Sequence, residues 1–339
     1  MSVLSGIRVL DLTRLLPGAF CTMLLADLGA DVIKVEEPGS GDYMRLSAPQ
    51  FEAINRNKRS IVLDLKSDRG KEILLRLVDT ADVLVEGNRP GVMKRLGIGW
   101  DVLHARRPRL VVCSITGYGQ TGPFASRAGH DLNYMAVAGA LGLNGERNGP
   151  PVPLSVQVAD IGGGGLQPAV EILAALVAVG RGEEGRWIDV SMTDGAMRFL
   201  TLVFATRAAG DSVARGDDRL TGRFPCYRVY ECADGRYYSV AALEPKFWKT
   251  LCDALERPDL VDSQFSEAAH RTLEEIFRAR SRDEWSAKLD GLDVCCEPVL
   301  DVDEVASHPQ VKARNLFGSS GRPPELGEHT EDILRELGL

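Results

Sequence analysis

The chain has 339 residues, 44% of them hydrophobic, enough to bury a sizeable core and to form two domains. Forty Lys and Arg against 48 Asp and Glu leave a formal net charge of -8, which excludes a basic field for nonspecific attraction to nucleic acid and points to a small partner. Seven scattered cysteines form no C-x-x-C pair and five histidines have no metal-ligand spacing, so neither a disulfide framework nor a metal site is expected.

No apolar run is expected to reach the ~20 residues that cross a bilayer, and Met1-Ser-Val-Leu-Ser begins no charged-then-apolar leader. The expectation is a cytosolic protein with no membrane partner.

The opening reads as a βαβ unit: Ile7–Leu12 as a strand, Gly18–Leu28 as a helix after Pro17, and Asp31–Val35 as a second strand closed by Pro38. Further apolar β-type runs stand at Ser60–Leu65, Ala81–Val85 and Leu110–Ile115, with a helix over Lys71–Val78 between the first two. This alternation predicts a Rossmann-like large domain, a mainly parallel sheet flanked by helices. A short strand from Val156 to Asp160, the run Gly162–Gly165, a long apolar helix to about Val179 and a strand near Trp187–Val190 complete it over residues 1–190.

Met192 to about Ala209 reads as one helix and Gly210–Arg223 as a polar loop, a connector over 191–223. Tyr227–Glu231 and Tyr237–Ala241, joined by Ala233-Asp234-Gly235-Arg236, carry a hairpin signal. Helical patterns at Pro245–Leu255 and Ala268–Arg280 and an apolar run Val294–Leu300 follow, so a smaller α+β domain is expected over 224–310. Residues 311–339 form a C-terminal segment expected to return toward the large domain, with weak order from about residue 318.

Three motifs carry chemistry. Gly117-Tyr-Gly-Gln-Thr-Gly122 matches the dinucleotide pattern G-x-G-x-x-G, but Pro123 follows at once and no helix opens from the third glycine, so a tight turn is the better reading. Gly129-His130-Asp131-Leu132-Asn133-Tyr134 precedes an apolar helical stretch. An imidazole at a helix N-terminus is disfavoured in its protonated form and stays available as a base, whereas a lone His elsewhere is usually structural. Asp131 and Asn133 are candidate capping or orienting groups there.

Asp160, followed by Gly162–Gly165 at the head of the long helix, reads either as a simple N-cap or as a group at a ligand site. The glycines each cost roughly 1 kcal/mol in a helix relative to Ala, so a ligand or another backbone must come close. Basic residues cluster at Arg56–Arg59, Arg89 and Lys94–Arg95. A solvated face explains such clusters, and a phosphorylated ligand is the alternative.

Taken together, LSGIRVLDLTRLLPGAFCTMLLADLGADVIKVEEP, NRNKRSIVLDLKS, VLVEGNRPGVMKRLGIG, SITGYGQTGP, AGHDLNYMAVAG, VADIGGGG, YECADGRYYSV and LEPKFW resemble the family III CoA-transferase (CaiB/BaiF-like) proteins, specifically their α-methylacyl-CoA racemase branch. The resemblance covers nearly the whole chain. It implies an acyl-CoA thioester substrate, no cofactor and an interlocked dimer of two identical chains, with sites shared between the large domain of one and the small domain of the other. It carries the catalytic pair to His130 and Asp160, places Glu244 near the site from the partner chain, and puts Lys58, Arg89, Arg95, Asp131 and Tyr134 around the CoA moiety. Glu37 departs from the Arg that close racemases can show before this proline, so phosphate contacts there must differ.

In a racemase of this kind one base removes the α-proton on one face and the other group delivers a proton on the opposite face. Backbone N–H groups of Gly162 and Gly163 are the candidates for stabilising the enolate oxygen. The competing enzyme reading is CoA transfer with Asp160 as the nucleophile. The stretch Leu220–Cys226 lacks the glycine run typical of transferases, which favours racemisation. A non-enzymatic acyl-CoA-binding protein is a third reading, against which the intact His130/Asp160 pair speaks.

Overall fold

The computed structural model describes residues 2–315 and 321–339. Six parallel strands form the main sheet: β1 (Arg8–Leu12), β2 (Asp31–Glu36), β3 (Arg59–Val62), β4 (Val83–Glu86), β5 (Val111–Thr116) and β6 (Trp187–Ser191), in the order β3-β2-β1-β4-β5-β6. The order reverses between β1 and β4. In doubly wound sheets that point, at the carboxyl ends of the strands, is where ligands bind. The strands are buried nearly throughout because helices cover both faces, which is why they read as continuous apolar runs.

The covering helices are α1 (Leu16–Asp27), α2 (Ala48–Asn55), α3 (Asp68–Thr80), α4 (Val92–Arg95), α5 (Trp100–Arg106), α6 (Asp131–Ala138) and α7 (Ala140–Leu143). A π-helical segment Ala159–Leu166 runs directly into α8 (Gln167–Gly180). No strand forms at Val156–Asp160; Asp160 lies in the first turn of the π-helical segment instead. A short apolar run has the same pattern in a strand and in a buried helix, so only its surroundings decide. The 22-residue helix Ala159–Gly180, with a mean hydropathy of 1.4, also overturns the expectation of no apolar run long enough to cross a membrane. It packs on α1, β5 and β6, as a sheet-covering helix does.

The predicted single helix after Met192 is two, α9 (Met192–Arg198) and α10 (Thr201–Ala208), broken at Phe199-Leu200. By its contacts the chain divides into two units, 1–142 with 153–204 and 320–339, and 143–152 with 205–319. The second unit contains the hairpin β7 (Tyr227–Glu231) and β8 (Tyr237–Ala241), joined antiparallel by β9 (Cys296–Pro298). Helices α11 (Pro245–Ala254), α12 (His270–Phe277) and α13 (Arg282–Leu289) bury Trp248, Phe277 and Trp285 against this sheet. Tyr230 stacks on Phe277 at 4.9 Å between ring centres. Two short helices follow, α14 (Val302–Val305) and α15 (Pro309–Arg314).

Weak order was expected beyond residue 318; 316–320 lie outside the described residues, but 321–339 are fastened to the first unit. Helix α16 (Thr330–Glu336) sinks Ile333 into the core beside Leu10, Ile61 and Leu74. The His329 amide donates to the Ser60 carbonyl and the Val62 amide to Thr330 Oγ1, so the tail binds β3.

Candidate active site

A cleft of about 1270 Å³ opens at the carboxyl ends of β1, β4 and β5. Its walls are the turn Thr13–Gly18 after β1, the loop Gly87–Pro90 after β4, and the segment Ala125–Asn133, with Asp160, Ile161 and Met192 across from them in sequence. Both His130 and Asp160 line it.

His130 is the N-cap residue of α6, exposed, with its backbone amide donating to Asn133 Oδ1 at 3.0 Å. Asn133 is thus the capping group the motif suggested. The Asp131 carboxylate turns to the neighbouring helix, where its Oδ1 accepts from the amides of Ala159 (2.7 Å) and Asp160 (3.1 Å). A carboxylate at the start of one helix therefore caps the next, and the two heads that carry His130 and Asp160 are tied together. Asp131 itself is not part of the cleft lining, its Oδ1 being engaged by these two amides.

Burial first and the Asp131 charge second raise the Asp160 carboxyl, His130 draws it back in part, and together they leave it at about 6. Desolvation disfavours the charged carboxylate and a neighbouring anion adds to it. A carboxylic acid and an imidazole in one cleft, the former titrating near neutrality, form a proton donor–acceptor pair. Tyr134 lines the same cleft, its hydroxyl donating to the Gly129 carbonyl, and burial pushes it up to about 12. Gly117, the first glycine of the rejected dinucleotide pattern, makes room for this ring: a Cβ there would meet Tyr134 at 2.3 Å.

Gly162 and Gly163 do not reach the cleft. A Cβ at Gly162 would meet Phe199 at 2.6 Å and one at Gly163 the Met192 carbonyl at 2.7 Å, so the glycines admit α9 and the chain after it. The backbone that must come close is the protein's own, and neither residue is part of the cleft lining. The amides that open this helix are engaged as well, two by Asp131 and that of Ile161 by the Gln157 carbonyl.

The basic residues separate. Arg89 is exposed on the cleft wall. Arg95 lies on α4 away from it, its guanidinium beside Gly91. Lys58 is fully buried: its Nζ donates to Asp11 Oδ2 (3.0 Å), the Ala19 carbonyl (3.0 Å) and Asn55 Oδ1 (2.8 Å). Burial pushes Lys58 down to about 8 against the pull of Asp11. Burial alone would raise Asp11, but Lys34 and Lys58 hold it well below the usual carboxylate range. Lys58 is therefore a core cation held away from solvent, and Arg95 is exposed on α4 outside the cleft lining.

Sequence reasoning missed Arg14, Leu15, Arg127 and Gln157, all on the cleft. Only Pro17-Gly18 marked the first turn, and nothing in the sequence marked its charge as facing a cavity. Glu244, the residue before α11 in the second unit, is exposed, and its carbonyl accepts from the Phe247 and Trp248 amides.

A doubly wound sheet with a cleft at its reversal point thus brings a His and an Asp from adjoining helix heads into one cleft, an arrangement able to take up and release a proton. Residues 4–330 match the model of CoA-transferase family III. The chain belongs to that family. It is 37% identical to human alpha-methylacyl-CoA racemase over 99% of this chain and 94% of the relative. It is 32% identical to human succinyl-CoA:glutarate CoA-transferase over 98% of this chain and 86% of the relative. Among solved structures, a CAIB/BAIF family protein from Brucella suis superposes with a TM-score of 0.87 at 31% identity, covering 99% of both chains.

Proposed function

We propose that the protein is a racemase that interconverts (R)- and (S)-2-methylacyl-CoA thioesters by moving the α-proton. The observation that carries the reading is the Asp160 carboxyl, raised to about 6 in the cleft that His130 also lines. In one direction neutral His130 takes the α-proton, the electron pair passes into the thioester carbonyl as an enolate, and protonated Asp160 returns a proton to the opposite face. In the other direction Asp160 carboxylate abstracts and His130 imidazolium donates. The pair carries one proton in both directions, so its titration belongs to the pair. The enolate oxygen is assigned to the amides of Asp131 and Leu132 at the head of α6, since those of Asn133 and Tyr134 donate to the His130 carbonyl. This chemistry calls for no cofactor, the substrate bringing its own CoA.

The cleft's volume of about 1270 Å³ and Arg89 on its wall suit an acyl-CoA. The second reading is CoA transfer between an acyl-CoA and a carboxylate with Asp160 as nucleophile, which the similarity to the glutarate CoA-transferase supports. Incubating each enantiomer of a 2-methylacyl-CoA in deuterated water separates them. Racemisation with α-deuteration is expected, and His130→Ala and Asp160→Ala should each lower it by at least ~10²–10⁴-fold, the usual weight of a general acid or base. Transfer to added carboxylates without α-deuteration, tolerant of His130→Ala, would establish the transferase instead.

We also infer a homodimer of interlocked chains, the partner's Glu244 approaching the site. Leu166 and Val170 on the long helix, with Phe199, Leu202 and Phe204 after it, are large apolar side chains left exposed in the single chain. Such a patch marks an association surface. Sedimentation should give twice the chain mass of 36.9 kDa, and an active monomer at assay concentration would exclude the arrangement. All seven cysteines are free, which suits the reducing cytosol we assign.

A further inference from the structure

The turn Thr13–Gly18 carries a cation that none of the sequence motifs singled out. Arg14 lies on the cleft wall with its side chain 40% exposed, within reach of a ligand. Its Nη2 donates to Glu37 Oε2 at 2.9 Å and its Nη1 to the Tyr43 hydroxyl at 3.2 Å, and the guanidinium sits 5.3 Å from the centre of the Tyr43 ring. A guanidinium has five N–H donors, so a pair of contacts orients it and leaves donors for an oxyanion.

The backbone beneath is held as firmly. Leu15 has φ 63° and ψ -162°, a conformation that non-glycine residues adopt only where surroundings enforce it. Asp42 Oδ1 accepts from the Leu15 amide at 3.0 Å, Asp11 Oδ1 from the Thr13 amide at 3.0 Å, and Lys34 Nζ donates to the Thr13 carbonyl at 3.1 Å. Asp11, Lys34 and Asp42 have no solvent exposure in their side chains, and Lys34 pairs with Asp42 at 2.8 Å. A buried charge cluster thus clamps both sides of Arg14. Of the other cations, Lys58 is consumed in that cluster, Arg95 is outside the cleft lining, Arg127 stacks on Phe124 at 3.6 Å, and Arg89 stands on the separate loop after β4.

We propose that Arg14 binds an anionic group of the substrate, either a phosphate of the CoA moiety or a carboxylate at the far end of the acyl chain. The proposal rests on the acyl-CoA reading above. Glu37 is then the positioning residue: an acidic group beside the cleft would repel either anion, but spent on Arg14 it aims the guanidinium.

The test compares wild type, Arg14→Met and Arg14→Lys by titration calorimetry with free CoA, and by KM for a 2-methylacyl-CoA, its phosphate-free pantetheine thioester and a CoA thioester bearing a terminal carboxylate. Melting temperature confirms that each variant folds. If Arg14 binds a CoA phosphate, Arg14→Met weakens CoA binding about 10- to 100-fold, leaves KM for the pantetheine thioester unchanged, and Arg14→Lys recovers part of the loss. If it binds a carboxylate, free CoA binds all three alike and only the carboxylated thioester loses affinity. Unchanged CoA binding together with unchanged KM for all thioesters would overturn the proposal while sparing the acyl-CoA reading. Absence of CoA binding by the wild type would overturn that reading, and this proposal with it.

Discussion

At Asp160 the demands of chemistry oppose those of stability. Its carboxyl is raised to about 6 because burial and the Asp131 charge disfavour ionisation. The folded chain therefore holds this proton more tightly than the unfolded one does. Its stabilising contribution is fully present below the unfolded value of 3.8 and is lost as pH rises through about 6. Asp160→Asn should therefore gain stability relative to wild type as pH is raised across that window, read as a melting-temperature difference that is larger at pH 7.5 than at pH 4. A difference that is constant with pH would show that ionised Asp160 costs the fold nothing. His130 and Asp160 were weak signals singly and were picked out by the family resemblance; both line the cleft. The burial of Lys58 was not legible, because the partner that consumes it, Asp11, lies 47 residues away in the chain. Arg14 was hidden for the same reason, its partners being 23 and 29 residues distant. A sequence displays a cation but not the acceptor that a sheet brings beneath it.

Among the elements, the π-helical segment and α9 approach each other closely. A Cβ on Gly195 would stand 2.3 Å from the Gly163 Cα, a distance that no rotamer change can relieve because the backbone fixes the Cβ and its neighbour is main chain. Gly195→Ala should force the helices apart and cost about 1–3 kcal/mol, the range for overpacking. Because the π-helical segment carries Asp160, activity should fall with it; a urea midpoint and rate both equal to wild type would show that the junction has slack. Strands and hairpin were read from apolar runs bounded by turn residues; β1 and β7 stand within a residue of where that pattern put them, whereas β3 ends three residues before Leu65. The run Val156–Asp160 deceived because alternation over so few residues does not distinguish a strand from a helix start. The break at Phe199-Leu200 was invisible, since neither residue is a helix breaker.

For the molecule as a whole, the alternation of strands and helices announced a parallel sheet, but not that its last covering element comes from the C-terminal residues. Ile333 has no exposed surface and sits among side chains of β1, β2 and β3. Ile333→Ala should destabilise the first unit by about 2–5 kcal/mol, measured by urea unfolding, while the aromatic core around Trp248 keeps its own transition. Loss of both transitions together would mean that the units unfold as one. Gly- and Pro-rich composition misled here because the hold on this segment is by hydrogen bonds to Ser60 and Val62, which composition does not record. The placement of that tail also sets an order of events during synthesis. A chain leaving the ribosome presents β3 with its outer edge unpaired, then completes every residue of the second unit, and only when residues 327–333 emerge can the first sheet be sealed. The first unit begins folding first and finishes last, with the other unit assembled in the interval.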